Sequence, residues 1–122
     1  MNKEQAQELA AFSEKFKEAD SLYSFNVENF LSPHEYGEEM SDFIDFCYNN
    51  NLVSPDYMEI REELTANKAK PEWFAGLSEE KILQCLGYFI RGDRFHDGLL
   101  ASAIKDGTIP HLLERVKVLY SL

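Results

Sequence analysis

Apolar residues recur every three or four positions along most of this chain, and that spacing limits its fold more than any other feature. The pattern is clearest after Ser78, where three apolar stripes follow one another. They comprise Ile82, Leu83, Leu86, Phe89 and Ile90; then Phe95, Leu99, Leu100, Ala103 and Ile104; then Ile109, Leu112, Leu113, Val116 and Leu119. Because an α-helix completes a turn in about 3.6 residues, such stripes predict helices that bury one face. Similar spacing at 4–20 and 38–49 extends the prediction to the first half of the chain.

Helix-start residues divide these stripes into separate elements. Ser54 can cap a short helix, with Pro55 at its first position. Ser78, Asp93 and Thr108 are predicted to cap the last three helices in the same way. The connections left between these elements are short, which favours helices packed against one another.

Two stretches lack the helical spacing. Residues 21–33 contain Asn and Ser among several aromatics, and they predict an irregular, aromatic-rich connector with room for a short strand. Residues 67–76 predict a mobile loop whose end is anchored by Trp73 and Phe74. The expected fold is therefore all-α, a compact single-domain bundle or array of about six helices over residues 1–122.

Charge is distributed unevenly along the 122 residues, which carry a formal net charge of −10. The first 63 residues hold 15 acidic and 4 basic residues, whereas the remainder holds 7 acidic and 8 basic ones. A strongly acidic chain is repelled by phosphate backbones and by anionic lipid. The expected partner is therefore another protein, with no direct nucleic-acid or membrane binding.

Five carboxylates near the second helix form a candidate acidic docking face for a basic partner. They are Glu35, Glu38, Glu39, Asp42 and Asp45. Helical spacing places most of them opposite Phe43 and Ile44. A solvated helix face is the alternative interpretation of the same pattern.

The sequence predicts a cytoplasmic protein without a cofactor. It shows neither a secretory signal nor an apolar run long enough to span a membrane. Cys47 and Cys85 stand 38 positions apart in apolar surroundings, where a thiol usually behaves as a small hydrophobe. No metal site is predicted, because His34, His96 and His111 lie on different elements without ligand spacing.

The densest polar cluster of the chain lies between two of the C-terminal stripes. It consists of Arg91, Asp93, Arg94, His96, Asp97 and Gly98. In one hypothesis Arg91 and Arg94 form a structural staple held by neighbouring carboxylates; in the other they bind a small anion or nucleotide, with His96 and Asp93 placed to assist hydrolysis. Gly98 lies within helical spacing, where it predicts close approach by a neighbouring helix.

The C-terminal residues also carry a recognisable pattern. An Arg is followed after two residues by Arg-Phe, a Gly stands three positions beyond the Phe, and an Asp-Gly turn comes later. The residues concerned are Arg91, Arg94, Phe95, Gly98 and Gly107. In this pattern the chain resembles a family of small, mainly bacterial all-helical domains of unknown function, over about residues 40–120. It departs from similar proteins at Tyr57 and Ile60, where they tend to place tryptophans. The resemblance implies a helical cytoplasmic domain and no particular activity.

The leading functional hypothesis is a non-catalytic protein-interaction module that binds through its acidic half or through an exposed groove between helices. The sequence contains no glycine-rich phosphate loop, no Gly-x-Ser-x-Gly elbow and no nucleic-acid module signature, which argues against an enzyme. The alternative is the anion- or nucleotide-binding pocket on Arg91 and Arg94. A third hypothesis, imitation of nucleic acid, follows from charge alone. The oligomeric state is left open.

Overall fold

The computed structural model describes residues 1–18, 23–25, 34–96 and 98–122. Within them the chain forms seven α-helices, one 3-10 helix and two short strands. The helices are α1 (Lys3–Glu18), α2 (Glu38–Asn49), α3 (Arg61–Asn67), α4 (Pro71–Phe74), α5 (Glu79–Gly92), α6 (Leu99–Lys105) and α7 (Thr108–Leu119), with the 3-10 helix at Tyr57–Ile60. The predicted all-α fold is confirmed.

A two-stranded antiparallel ladder accompanies the helices. Strand β1 (Tyr23–Phe25) pairs with β2 (His34–Tyr36), and Tyr23 stands opposite Tyr36. The predicted connector at 21–33 lies mostly outside the described residues, and β1 is the part of it that they include.

The core lies between the inward faces of the longer helices, with α5 contributing most. Half of the 14 residues of α5 are buried. Helix α1 packs against α7 and α2, and the rings of Phe12 and Phe43 meet edge to face with centroids 5.3 Å apart. None of the helices in the described part of the chain is long and apolar enough to cross a membrane.

Helix α5 and the 3-10 helix approach each other closely at Gly87. A Cβ placed on Gly87 would lie 2.8 Å from the Cβ of Tyr57 and 3.0 Å from the carbonyl oxygen of Ser54. Atoms do not normally pack at such distances, so the missing side chain sets the spacing between these elements. It thereby fixes where Tyr57 and its neighbours stand relative to α5.

Two glycines with left-handed backbone precede the last two helices. The φ angle is +89° at Gly98 and +95° at Gly107, a region that other residues enter only with strain. The prediction that Gly98 lies inside a helix is wrong, because α5 has already ended at Gly92 and α6 begins only at Leu99.

The start of α7 also differs from the prediction. Thr108 is the first residue of α7 and is not its cap. The side chain that satisfies the helix start belongs to Asp106, whose carboxylate accepts hydrogen bonds from the Thr108 backbone nitrogen at 2.9 Å and from its hydroxyl at 2.7 Å. The acidic group suits this position because the first turn of a helix carries unpaired N–H groups.

The predicted loop at 67–76 contains the short helix α4. Pro71 occupies its first position, where a fixed φ fits and the missing N–H is not needed. Phe74 is buried, and the Trp73 indole nitrogen donates a hydrogen bond to the Glu63 carboxylate at 2.9 Å. The prediction that these two aromatics anchor the segment is confirmed.

Tyr120 connects the end of α7 to the starts of α1 and α5. Its hydroxyl lies 2.7 Å from the carbonyl oxygen of Met1 and contacts the Glu79 carboxylate, which also lies 3.0 Å from the ammonium of Met1. Burial, together with the neighbouring carboxylate, raises the pKa of Tyr120 to about 12. The hydrogen bond from Tyr120 lowers the pKa of Glu79.

Glu63 joins α3, α4 and α5 in one small polar cluster. Besides the indole of Trp73, its carboxylate accepts a hydrogen bond from the Lys81 ammonium at 3.0 Å. The Lys81 hydrogen bond holds the pKa of Glu63 below its ordinary 4.5, and the Trp73 hydrogen bond acts in the same direction against the effect of burial.

Acidification is therefore expected to report on this cluster through Trp73, the single tryptophan of the chain. The folded-state pKa of Glu63 is lowered, so its contribution to stability is complete above 4.5 and is lost as the pH falls through the folded value. The contribution is about 0.5 kcal/mol, because the pair remains in contact with water. Fluorescence of Trp73 followed below pH 4.5 should show this titration in the wild type and lose it in Glu63→Gln.

Glu114→Gln is the matched control for that titration. Glu114 pairs with Lys117 at 3.0 Å on α7, whereas the indole nitrogen of Trp73 donates its hydrogen bond to Glu63. A Trp73 titration that is unchanged in Glu63→Gln, or one that disappears in Glu114→Gln, would contradict the assignment.

Candidate functional site

The polar cluster lies where α5 gives way to α6, and its described residues 93–96 and 98 are called the corner here. The carbonyl oxygen of Gly92 accepts hydrogen bonds from the backbone nitrogens of Phe95 and His96, both at 3.0 Å. The nitrogen of Leu99 then donates to the His96 carbonyl oxygen at 3.0 Å. These bonds lie between the last residue of α5, Gly92, and the first residue of α6, Leu99.

Asp93 holds the corner together from inside. It is 3% exposed, and its carboxylate accepts a hydrogen bond from the Leu100 backbone nitrogen at 2.9 Å. Leu100 is the second residue of α6, so Asp93 satisfies one of the unpaired N–H groups at that helix start. The prediction that Asp93 caps the following helix is confirmed, although the bond spans the whole turn.

Phe95 points away from the core, with 80% of its surface exposed. The prediction that it belongs to the inner face of a helix is wrong. Its spacing from Leu99 fits a helical stripe, but the chain leaves the helix after Gly92, and Asp93 turns inward in its place. A large aromatic side chain in water is a costly feature unless something covers it.

Beside Phe95 lies a groove of about 210 Å³, called the corner groove here. The 3-10 helix and the start of α3 contribute one side of it, and α5, the corner and the start of α6 contribute the other. Its lining includes Tyr57, Met58 and Arg61 on the first side and Tyr88, Phe95 and Leu99 on the second, together with His96. Met58 is 51% exposed, so two large apolar side chains border the groove in contact with water.

Arg91 at the end of α5 and Arg94 in the corner lie over two different tyrosines. The guanidinium of Arg91 stands 5.6 Å from the ring centre of Tyr57, and that of Arg94 stands 5.7 Å from the ring centre of Tyr48. Such contacts hold a cation against the face of an aromatic ring. Arg91 thus supports Tyr57 from behind the groove, and neither arginine is among the residues that line it.

Two buried polar atoms near the corner have no hydrogen-bond partner within the described residues. They are the Nε of Arg91 and the hydroxyl oxygen of Tyr48. Buried polar groups are usually paired, with protein or with ordered water.

Arg61 supplies the fixed positive charge of the corner groove. It forms no ion pair with any residue that the structure describes. Of the acidic residues next to it in the chain, Glu59 accepts a hydrogen bond from Gln84 at 3.4 Å. Glu62 shares a second hollow with Arg61 and Thr65 but forms no ion pair with Arg61.

The candidate acidic face is only partly described. On α2, Glu38, Asp42 and Asp45 are exposed and Glu39 is half-buried. Glu35 lies in β2, and nothing is described of its side chain. Within the described residues no group of three His, Cys, Asp or Glu is arranged to hold a metal ion.

The three histidines lie on different elements of the fold. His96 lines the corner groove, whereas His111 stacks on Phe74 with ring centres 5.1 Å apart. His34 belongs to β2. Asp97 lies outside the residues that the structure describes.

Both cysteines are buried and unpaired. Burial raises the pKa of Cys47 well above its ordinary value and raises that of Cys85 to about 12. Since the thiolate is the nucleophile, burial disfavours the reactive form of both side chains.

Sequence reasoning missed the residues on the first side of the groove. None of Tyr57, Met58 and Arg61 is among the candidate site residues that the sequence predicts. Tertiary packing alone brings these residues to Phe95. The one feature of the sequence that indicates this packing is Gly87, which lets the 3-10 helix approach α5. A glycine inside an apolar helix indicates close approach by another element, but it does not indicate which one.

Comparison with known proteins adds a family. No curated protein and no solved structure matches this chain. The sequence model of DUF6508, a family of unknown function, matches residues 1–121, which include α1 and the strands as well as the C-terminal pattern. The chain therefore belongs to DUF6508.

Proposed function

We propose that this protein is a non-catalytic binding module that holds a segment of another protein in the corner groove. The observation that carries the proposal is the exposure of Phe95 and Met58 on either side of one concave site. Covering a side chain of this size stabilises a complex by about 1.5–3 kcal/mol. Aromatic residues beside a pocket are common among those that dominate the affinity of protein interfaces.

The support beneath the groove agrees with this proposal. A binding surface works best when it is rigid before the partner arrives, because ordering it on binding lowers affinity. Gly87 fixes the 3-10 helix on α5, Arg91 lies against Tyr57, and Asp93 holds the corner. The exposed aromatic therefore stands on a scaffold made of backbone contacts and buried hydrogen bonds.

Phe95→Ala is expected to remove binding while leaving the fold intact. The immobilised protein is panned against a phage library of random twelve-residue peptides, and the enriched peptides are then titrated. Loss of the ring should weaken their binding by about tenfold or more, a change of about 1.4 kcal/mol. Thermal unfolding should change little, because the side chain is exposed.

Val118→Ala is the matched control. Val118 is 67% exposed on α7 and does not line the corner groove. Val118→Ala should bind the enriched peptides with the same affinity as the wild-type protein. Equal enrichment by wild type and Phe95→Ala would contradict the proposal.

The acidic face remains a separate proposal, in which Glu38, Asp42 and Asp45 attract a basic partner. The exposure of these three side chains on one helix supports it. Such docking weakens as ionic strength rises, because salt screens exposed charges beyond about 10 Å at 0.1 M.

An anion- or nucleotide-binding role for Arg91 and Arg94 is the second candidate function. The buried Nε of Arg91, without a hydrogen-bond partner among the described residues, favours it. Arg91 and Arg94 lie over different tyrosines. This arrangement favours peptide binding in the corner groove over anion binding, because a single anion is bound most tightly by groups that converge on it.

A further inference from the structure

We infer that the corner groove selects a peptide in which a large apolar side chain stands within a few residues of a carboxylate. This inference rests on the proposed function and adds the chemistry of the partner. Phe95 and Met58 contact the apolar side chain, and Arg61 binds the carboxylate.

The size of the groove favours a peptide over a whole metabolite. Pockets for small molecules usually measure about 300–1,000 Å³ and enclose their ligand. The corner groove measures about 210 Å³ and is bordered by exposed side chains. Space on this scale suits one side chain of a longer segment that continues over the surface.

Charge in the groove favours an acidic partner. Among the described lining residues Arg61 and His96 are the basic side chains, and none of them is Asp or Glu. The Arg61 guanidinium has no ion pair within the described residues, and it presents a planar fork that fits a carboxylate with two hydrogen bonds. No carboxylate of the described residues is paired with Arg61, so a partner carboxylate would not have to displace one of them.

The acidity of the whole chain limits the number of acidic residues that a bound peptide can carry. At a net charge of −10, a long acidic segment is repelled as it approaches. Only a carboxylate in direct contact with Arg61 gains an attraction that exceeds the repulsion from the rest of the chain. We therefore expect one or two acidic residues beside the apolar one, and not an acidic run.

The test uses the peptides enriched from the random library. Their alignment should show Phe, Leu, Met or Trp within three positions of Asp or Glu. A synthetic consensus peptide should bind at least fivefold more tightly than its isostere in which Asp or Glu is replaced by Asn or Gln. In Arg61→Gln this difference should disappear, while binding to the amide peptide stays unchanged.

Lys68→Gln is the matched control, since Lys68 is an exposed cation just beyond the end of α3 and does not line the groove. It should keep the full preference for the carboxylate peptide. Circular dichroism should give the wild-type melting curve for both variants, because both side chains are exposed.

Four outcomes would overturn the inference, and they separate it from the proposed function. Enriched peptides that need Phe95 but carry no acidic residue contradict the inference and leave the proposed function standing. A preference for carboxylate that survives in Arg61→Gln also contradicts the inference alone. Peptides whose binding ignores Phe95 contradict both. A wild-type dimer that dissociates in Phe95→Ala, seen by light scattering after gel filtration, would mean that a second copy of this chain occupies the groove.

Discussion

Replacing Gly87 with alanine is expected to destabilise the protein by about 2 kcal/mol, although alanine is the better helix former. The new methyl group would stand 2.8 Å from the Cβ of Tyr57 and 3.0 Å from the Ser54 carbonyl oxygen. These atoms belong to or adjoin the backbone, so the 3-10 helix must move away from α5. The cost of that movement exceeds the gain in helix propensity, which is about 1 kcal/mol.

Denaturant unfolding of Gly87→Ala, with Gly92→Ala as its control, measures this effect. A Cβ on Gly92 would also meet a neighbour at 2.8 Å, but that neighbour is the end of the flexible Leu99 side chain. Leu99 can rotate, so the change in unfolding free energy should stay within about 0.5 kcal/mol. Equal destabilisation of the two variants would show that the position of the 3-10 helix does not depend on Gly87.

Replacing Asp93 with alanine is expected to lower the free energy of unfolding by about 3 kcal/mol. The carboxylate is buried and holds the Leu100 backbone nitrogen at 2.9 Å, so its removal leaves a buried donor without its partner and a small cavity. Asp93→Asn should cost less, about 1 kcal/mol, because the amide retains an oxygen that accepts the same hydrogen bond.

Asp106→Ala provides the comparison for Asp93. Asp106 also satisfies the start of a helix, but it is exposed, and water can take its place. Its loss should cost about 1 kcal/mol, the usual figure for a cap. A loss in Asp93→Ala no larger than in Asp106→Ala would contradict the role given to the buried carboxylate.

Most of the core could be predicted from periodicity, because the apolar residues at helical spacing are the ones that the fold buries. Ile82, Leu86 and Ile90 are examples. The error at Phe95 has a local cause. Its spacing from Leu99 is helical, yet a glycine with positive φ stands between the two residues and the helix does not continue. Gly98 was visible in the sequence, but its backbone conformation was not.

The corner groove was beyond prediction for a different reason. In the sequence the charge of Arg91 and Arg94 marks them as candidate site residues, whereas the groove is lined mainly by aromatic and apolar side chains. Its two sides come from distant segments of the chain, and only packing brings Met58 and Phe95, 37 positions apart, to one site. Patterns in a sequence report which residues share a helix face, and they carry little information on which faces meet.

Phe95 is the residue on which the proposed binding of a partner depends above all. The most direct test is calorimetric titration of an enriched peptide into wild-type protein, Phe95→Ala and Val118→Ala, all with matching melting curves. We predict one saturable site in the wild type and in Val118→Ala, and at least a tenfold weaker one in Phe95→Ala. Equal affinity in all three proteins would contradict the account.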